Sequence, residues 1–179
     1  MSTEVSFNGR ELKELLLRAP RLSLAAAESL TAGHIQALIS ATPGASDYFR
    51  GGVTAYNLEA KVSLLRVNRA AAALVNCVST SVAEQMAIGA CELFGADVAV
   101  ATTGYAEPSV EWAVSEPLAF WALARRREAA SFSVRSGRVV CPGAKRVEAQ
   151  QMVARTALVE LTAWLREVRA KQAGAEPKS

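Results

Sequence analysis

The sequence predicts an α/β protein, a three-layer α/β/α sandwich around a mixed, mostly parallel five-stranded sheet. Three observations carry that prediction. Short apolar runs alternate with stretches of helical periodicity through the first hundred residues, the pattern of parallel strands joined by helical crossovers. One of these runs, DVAVATT at 97–103, is almost continuously apolar, as a strand covered on both faces should be. Two later strand-like segments are joined only by the charged turn RRRE, so they pair antiparallel, and a long amphipathic helix closes the chain.

The first element is a helix over about 9–19. Asn8 and Glu11 form its capping pair, Leu12, Leu15 and Leu16 have helical spacing, and Pro20 stops it. A buried strand follows at 22–27, and a second helix is predicted over 29–41, with Ile35, Leu38 and Ile39 turned inward before the turn at Pro43 and Gly44. The segment FRGGVTAY, 49–56, has the aromatic and β-branched content of a strand. A short helix then carries Leu58, Val62 and Leu65. Ser79 or Ser81 caps a longer one that runs to Phe94, with Val82, Met86, Ala90 and Leu93 on its buried side and Gly95 at its end. Strands are expected at 97–103, 118–124 and 129–134. The closing helix begins near Val147 and turns Val153, Ala157, Leu161, Trp164, Leu165 and Val168 to the core. Residues 1–170 read as a single domain, and 171–179 as a disordered polar tail.

Length and composition agree. A chain of 179 residues falls in the roughly 100–200 residue range of one domain. With 51% hydrophobic and 21% charged residues it is an ordinary folded chain, and a net charge of +3 is too small to call for nucleic acid. No apolar run approaches the roughly 18 residues of a membrane span, and the amino-terminal stretch has no signal-peptide core, so a cytoplasmic protein without a membrane partner is expected. Cys77, Cys91 and Cys141, odd in number and widely spaced, suit neither a disulfide framework nor a zinc site, and one histidine, His34, adds no metal set. Neither metal nor cofactor is expected.

Chemistry in open α/β sheets gathers at the carboxyl ends of the strands. Three such ends carry polar groups here: Glu28, Ser29 and Thr31 after the first strand, Tyr56 and Lys61 after the second, and Thr103 after the third. Each has an ordinary use as well. Ser29 can cap a helix or attack a substrate, and Lys61 is an exposed cation unless burial lowers its pKa enough to make it a base. The Arg125–Arg127 run reads most simply as a solvated turn.

These residues belong to a larger pattern. AESLTAG, PGASDYFRGGVTAYNLEAK, VSTSVAEQMA and TTGYAEP occur in order between about Glu11 and Leu165, and together they resemble the CinA carboxy-terminal domain family of nicotinamide-nucleotide amidases. The resemblance implies a homodimeric α/β/α amidohydrolase that converts nicotinamide mononucleotide to nicotinate mononucleotide and ammonia. It implies Ser29 as nucleophile, Lys61 as its base with Tyr56 beside it, and Thr103 holding the reacting carbonyl oxygen. It further implies substrate binding by Glu28, Thr31, Gly33 and Gly104, with Arg146 near the phosphate. The chain departs from the family pattern in one loop. Where the family has AGPGG and later a lysine and a glycine, this chain has AEPSVEWAVSEPLA, with Glu107, Ser109, Val110, Glu111, Glu116 and Ala119 at those places. Gln150 stands where a second arginine is usual, and Ala32 replaces a glycine. Carboxylates in a phosphate-holding loop repel the ligand, so three readings stay open: the mononucleotide amidase, an amidase of altered substrate, and a non-catalytic homologue that binds a nucleotide or a partner.

Overall fold

Asn8 starts the first helix as predicted, its side-chain oxygen accepting from the N–H groups of Arg10 and Glu11. In the computed structural model, which describes residues 6–128 and 131–174, this helix is α1 (Gly9–Leu17). It is followed by β1 (Leu24–Glu28), α2 (His34–Ser40), β2 (Phe49–Thr54), α3 (Leu58–Leu65), α4 (Arg69–Ala73), α5 (Thr80–Phe94), β3 (Val98–Tyr105), β4 (Leu118–Arg126), β5 (Phe132–Val140) and α6 (Arg146–Gly174).

The sheet order is β2-β1-β3-β4-β5. β1 pairs parallel with β2 and with β3, while β4 runs against both β3 and β5, so four of the five strands point the same way. This is the mixed, mostly parallel sheet that the sequence predicts. The pleat sorts the side chains. Leu24, Ala26, Val98, Val100, Trp121 and Leu123 face α1, α2 and α6 in one buried cluster. Their neighbours Ala25, Ala27, Ala99, Ala101, Ala122 and Ala124 face α5 in another. Alternating valine and alanine in VAVAT therefore builds a bulky face and a smooth one, and the smooth one lets α5 lie close to the sheet.

Several boundaries differ from the expectation. α2 starts at His34 rather than near Ser29, because Ala32 (φ 48°) and Gly33 (φ 99°) hold the preceding turn in left-handed backbone. α4 has no counterpart in the sequence reading: RAAAA is too short and too uniform to show a period. β5 runs to Val140, beyond the expected 129–134, of which residues 129 and 130 lie outside the described ones. Leu93 sits in the last turn of α5 and is exposed rather than buried. α6 continues through residues 171–174 of the expected tail, and 175–179 lie outside the described residues. Among the described residues no helix is long and apolar enough to cross a membrane.

This topology assembles one edge. The carboxyl ends of β1, β2 and β3 meet there, and antiparallel pairing brings the start of β4 to the end of β3, Leu118 opposite Tyr105. The end of β5 arrives beside it, Val140 opposite Leu118, and leads into the first turn of α6. Every candidate site residue of the sequence lies within a few residues of this edge.

Candidate active site

Ser29 is the first residue past β1, and its N–H donates to the Thr102 carbonyl of β3 at 3.0 Å, which fixes it between the two strands. It does not cap α2. That task falls to Glu28, whose fully buried carboxylate accepts from the N–H groups of Gly33 (3.0 Å), Ile35 (3.1 Å) and Gln36 (2.9 Å). A carboxylate facing the free N–H groups of a helix start is well placed against the helix dipole as well as hydrogen-bonded. The Ser29 hydroxyl is thereby left for another partner.

That partner is Lys61. Asn57 caps α3 by accepting from the Ala60 N–H, and Lys61 follows one turn into the helix, 1% exposed. Its Nζ lies 2.9 Å from Ser29 Oγ, 2.8 Å from the Ala55 carbonyl and 3.4 Å from the Tyr56 carbonyl. Among the described residues no carboxylate pairs with it. Burial lowers its pKa below the ordinary lysine value, with the nearby Cys77 thiol a smaller opposing influence. The two carbonyls can hold the two protons of a neutral amine, which leaves its lone pair for the Ser29 hydroxyl.

A cavity of about 610 Å³ opens above this pair, lined by Ser29, Lys61, Thr103 and Gly104 at its floor and by Tyr56, Glu107 and Arg146 at other points. Its size suits a nucleoside- or nucleotide-sized ligand. The remaining predicted residues take up distinct positions. Thr103 is buried at the floor, but its hydroxyl proton goes to the Cys77 carbonyl at 2.7 Å. A hydroxyl has one proton, so Thr103 faces a ligand as an acceptor, suited to an amide NH₂ rather than to a carbonyl oxygen. Tyr56 is 59% exposed; what touches Lys61 is its carbonyl, and its phenol lies by the Arg146 guanidinium. Thr31 is fully buried and shares a 2.7 Å hydrogen bond with Thr102 Oγ1, while the Gly33 N–H is taken by Glu28, so Glu28, Thr31 and Gly33 support the turn from behind and do not line the cavity. Gly104 serves the sheet too: a Cβ there would stand 2.3 Å from the Leu118 carbonyl, so its lack of a side chain permits the β3–β4 pairing at the cavity wall. Arg146 and Glu107 form an ion pair across the cavity. Each holds the other charged, the Arg146 pKa raised and the Glu107 pKa lowered by the contact.

Two features of the site are not in the sequence reading. The Leu30 N–H, next along from Ser29, bonds to no protein group among the described residues, and Leu30 lines the cavity. It is a backbone donor adjoining the serine, the kind of group that stabilises an oxyanion. Asn76 (φ 48°) and Cys77 (φ 60°) are consecutive left-handed residues, and this turn is what presents the Cys77 carbonyl to Thr103. The signal for Leu30 was its place after the serine; a left-handed Asn-Cys pair carries none. His34 lies outside the cavity, its Nδ1 2.6 Å from the Thr31 carbonyl. Among the described residues no group of three His, Cys, Asp or Glu side chains is placed to hold a metal ion.

The mixed, mostly parallel sheet, with Ser29 and Lys61 in contact at the carboxyl edge of its parallel strands, is that of an α/β protein whose candidate site lies at the strand ends. The sequence profile of the CinA C-terminal domain matches residues 10–165, and the chain belongs to that family. A CinA-like protein of Mycobacterium marinum is 46% identical over 105 residues, 58% of this chain and 24% of that protein. One from a Picosynechococcus species is 46% identical over 93 residues, 52% of this chain and 22% of the other. The chain thus matches under a quarter of the length of these curated relatives. Among solved structures, the competence/damage inducible protein CihA of Agrobacterium tumefaciens is similar at 28% identity and a TM-score of 0.76, covering 88% of this chain and 94% of that one. The competence damage-inducible protein A of Klebsiella pneumoniae is similar at 26% identity and the same TM-score and coverage.

Proposed function

We propose that this chain is an amidohydrolase that cleaves a primary carboxamide of the nicotinamide-nucleotide class implied by its family resemblance, with Ser29 as nucleophile and Lys61 as general base and acid. The observation that carries the reading is the 2.9 Å contact between a buried, carboxylate-free lysine amine and a serine hydroxyl at a cavity floor. Neutral Lys61 takes the Ser29 proton as Oγ bonds to the amide carbon. The developing oxyanion turns to the Leu30 N–H, and Thr103 accepts a hydrogen bond from the amide NH₂. Protonated Lys61 then gives its proton to the departing nitrogen, ammonia leaves, and water, deprotonated by the same amine, releases the acid from the serine ester. The mechanism uses no metal or cofactor, and a homodimer goes with the family.

The test is ammonia release. Purified protein with nicotinamide mononucleotide or its riboside should liberate ammonia in step with the nicotinate product, and Ser29→Ala should reduce the rate by about a thousandfold or more. No ammonia from either compound would end this reading. The acidic residues of the 106–117 loop favour a second one, a binding protein without turnover, in which those ligands raise the melting temperature but are recovered intact.

A further inference from the structure

The cavity has one polar centre at its floor and another at its mouth. At the mouth Glu107, in the loop between β3 and β4, pairs with Arg146, the first residue of α6. Both side chains are about half exposed, at 55% and 47%. Among the described residues lining the cavity, the charged groups are Lys61, Arg146 and Glu107. Lys61 has to be neutral to act as a base, so Arg146 is the cation left to meet an anionic group, and a carboxylate from the same chain already holds it.

We propose that Glu107 is a specificity-determining residue that turns the site away from phosphorylated ligands, so that the substrate is a carboxamide-bearing N-riboside with a free 5′-hydroxyl. The carboxamide part rests on the amidase reading above; the discrimination at the mouth stands on the ion pair. A phosphate that reaches Arg146 must either dislodge Glu107 or sit against it, and like charges in contact repel strongly. The competing carboxylate is tethered and never diffuses away, which gives it an effective concentration in the millimolar range or above. A hydroxymethyl group meets neither obstacle. Asn57, Asn76, Tyr105 and Ser109 line the same cavity and offer it neutral hydrogen-bonding groups. A neighbouring acid is excluded from this role: the Glu116 carboxylate accepts from the Gly143 N–H at 2.9 Å.

The experiment compares nicotinamide riboside with nicotinamide mononucleotide, which differ only in the phosphate, on the wild-type protein and on Glu107→Gln. Turnover is read as ammonia, and binding is read by calorimetry on the same samples. The wild type should favour the riboside by about tenfold or more in kcat/KM and in affinity. Glu107→Gln should raise kcat/KM on the mononucleotide by about fivefold or more, through KM, and leave the riboside within about twofold. A wild type that prefers the mononucleotide, or a ratio that Glu107→Gln does not move, overturns the inference while leaving the amidase reading intact. Absence of ammonia from both ligands, with riboside-selective binding that Glu107→Gln narrows, has the opposite meaning: the amidase reading falls and the role of Glu107 stands. Absence of binding and turnover with both ligands in both proteins overturns the inference as well.

Discussion

Lys61 is the bulkiest fully buried side chain among the described residues, and the same burial that suits it to the proposed role of base makes it a burden to stability. Its folded pKa lies below the ordinary lysine value of 10.5, so between those two values the unfolded chain holds a proton that the folded chain does not. Stability therefore rises with pH across that window and is lowest beneath it. Lys61→Met should lose ammonia release to background yet melt higher at neutral pH by a few degrees, for a gain of about 1 kcal/mol or more, and should flatten the pH dependence of stability in that window. Thermal melts across pH check both. In the active protein kcat/KM should fall as pH drops through the lowered Lys61 pKa, with the acid limb well below that of a free lysine. At this scale the sequence located the groups: Ser29, Lys61 and Thr103 stand at strand ends that one edge brings together. It could not supply protonation states. The amine's pKa depends on its burial in the folded chain, and the direction of the Thr103 proton depends on a Cys77 carbonyl far away in sequence.

The turn between β1 and α2 shows how much local chemistry the position of one serine needs. Glu28 ends the strand, closes the helix and is buried, with three N–H groups on its carboxylate. Glu28→Ala should cost about 2–3 kcal/mol in denaturant unfolding, since several buried donors lose their acceptor, and it should also depress turnover because Ser29 is the adjoining residue. Glu28→Gln, which keeps one carbonyl acceptor, should recover part of the stability. Polar residues after a strand announced a turn here, and the residue types announced a cap, but the serine looked like that cap because AAAESLTAG does not reveal that Ala32 accepts left-handed backbone. Long periodic elements were legible for the opposite reason. α5 and α6 repeat their apolar positions often enough to outweigh any single exception, whereas the five residues of α4 never complete a pattern.

For the whole molecule, closure depends on a residue that no motif marks. Arg169, 3% exposed on α6, donates to the carbonyls of Leu15, Leu16, Arg18 and Pro20, and so ties the open end of α1 to the last helix. Those acceptors have no intrahelical partner of their own, and among the described residues the guanidinium has no carboxylate, only carbonyl dipoles and Gln172. Arg169→Ala should lower stability by about 3 kcal/mol and the melting temperature by roughly 6–12 °C, and Arg169→Lys should restore little, because one ammonium cannot span the same fork of acceptors. The reversal of β4 works at the same scale. It hangs a small hairpin, pinned by mutual hydrogen bonds between Ser109 and Val114, beside the cavity, while Ser29, Thr103 and Lys61 stand just past β1, on β3 and on α3. What a descendant of this chain admits can thus be rewritten by editing the positions of one loop, with the proposed bond-breaking groups inherited untouched.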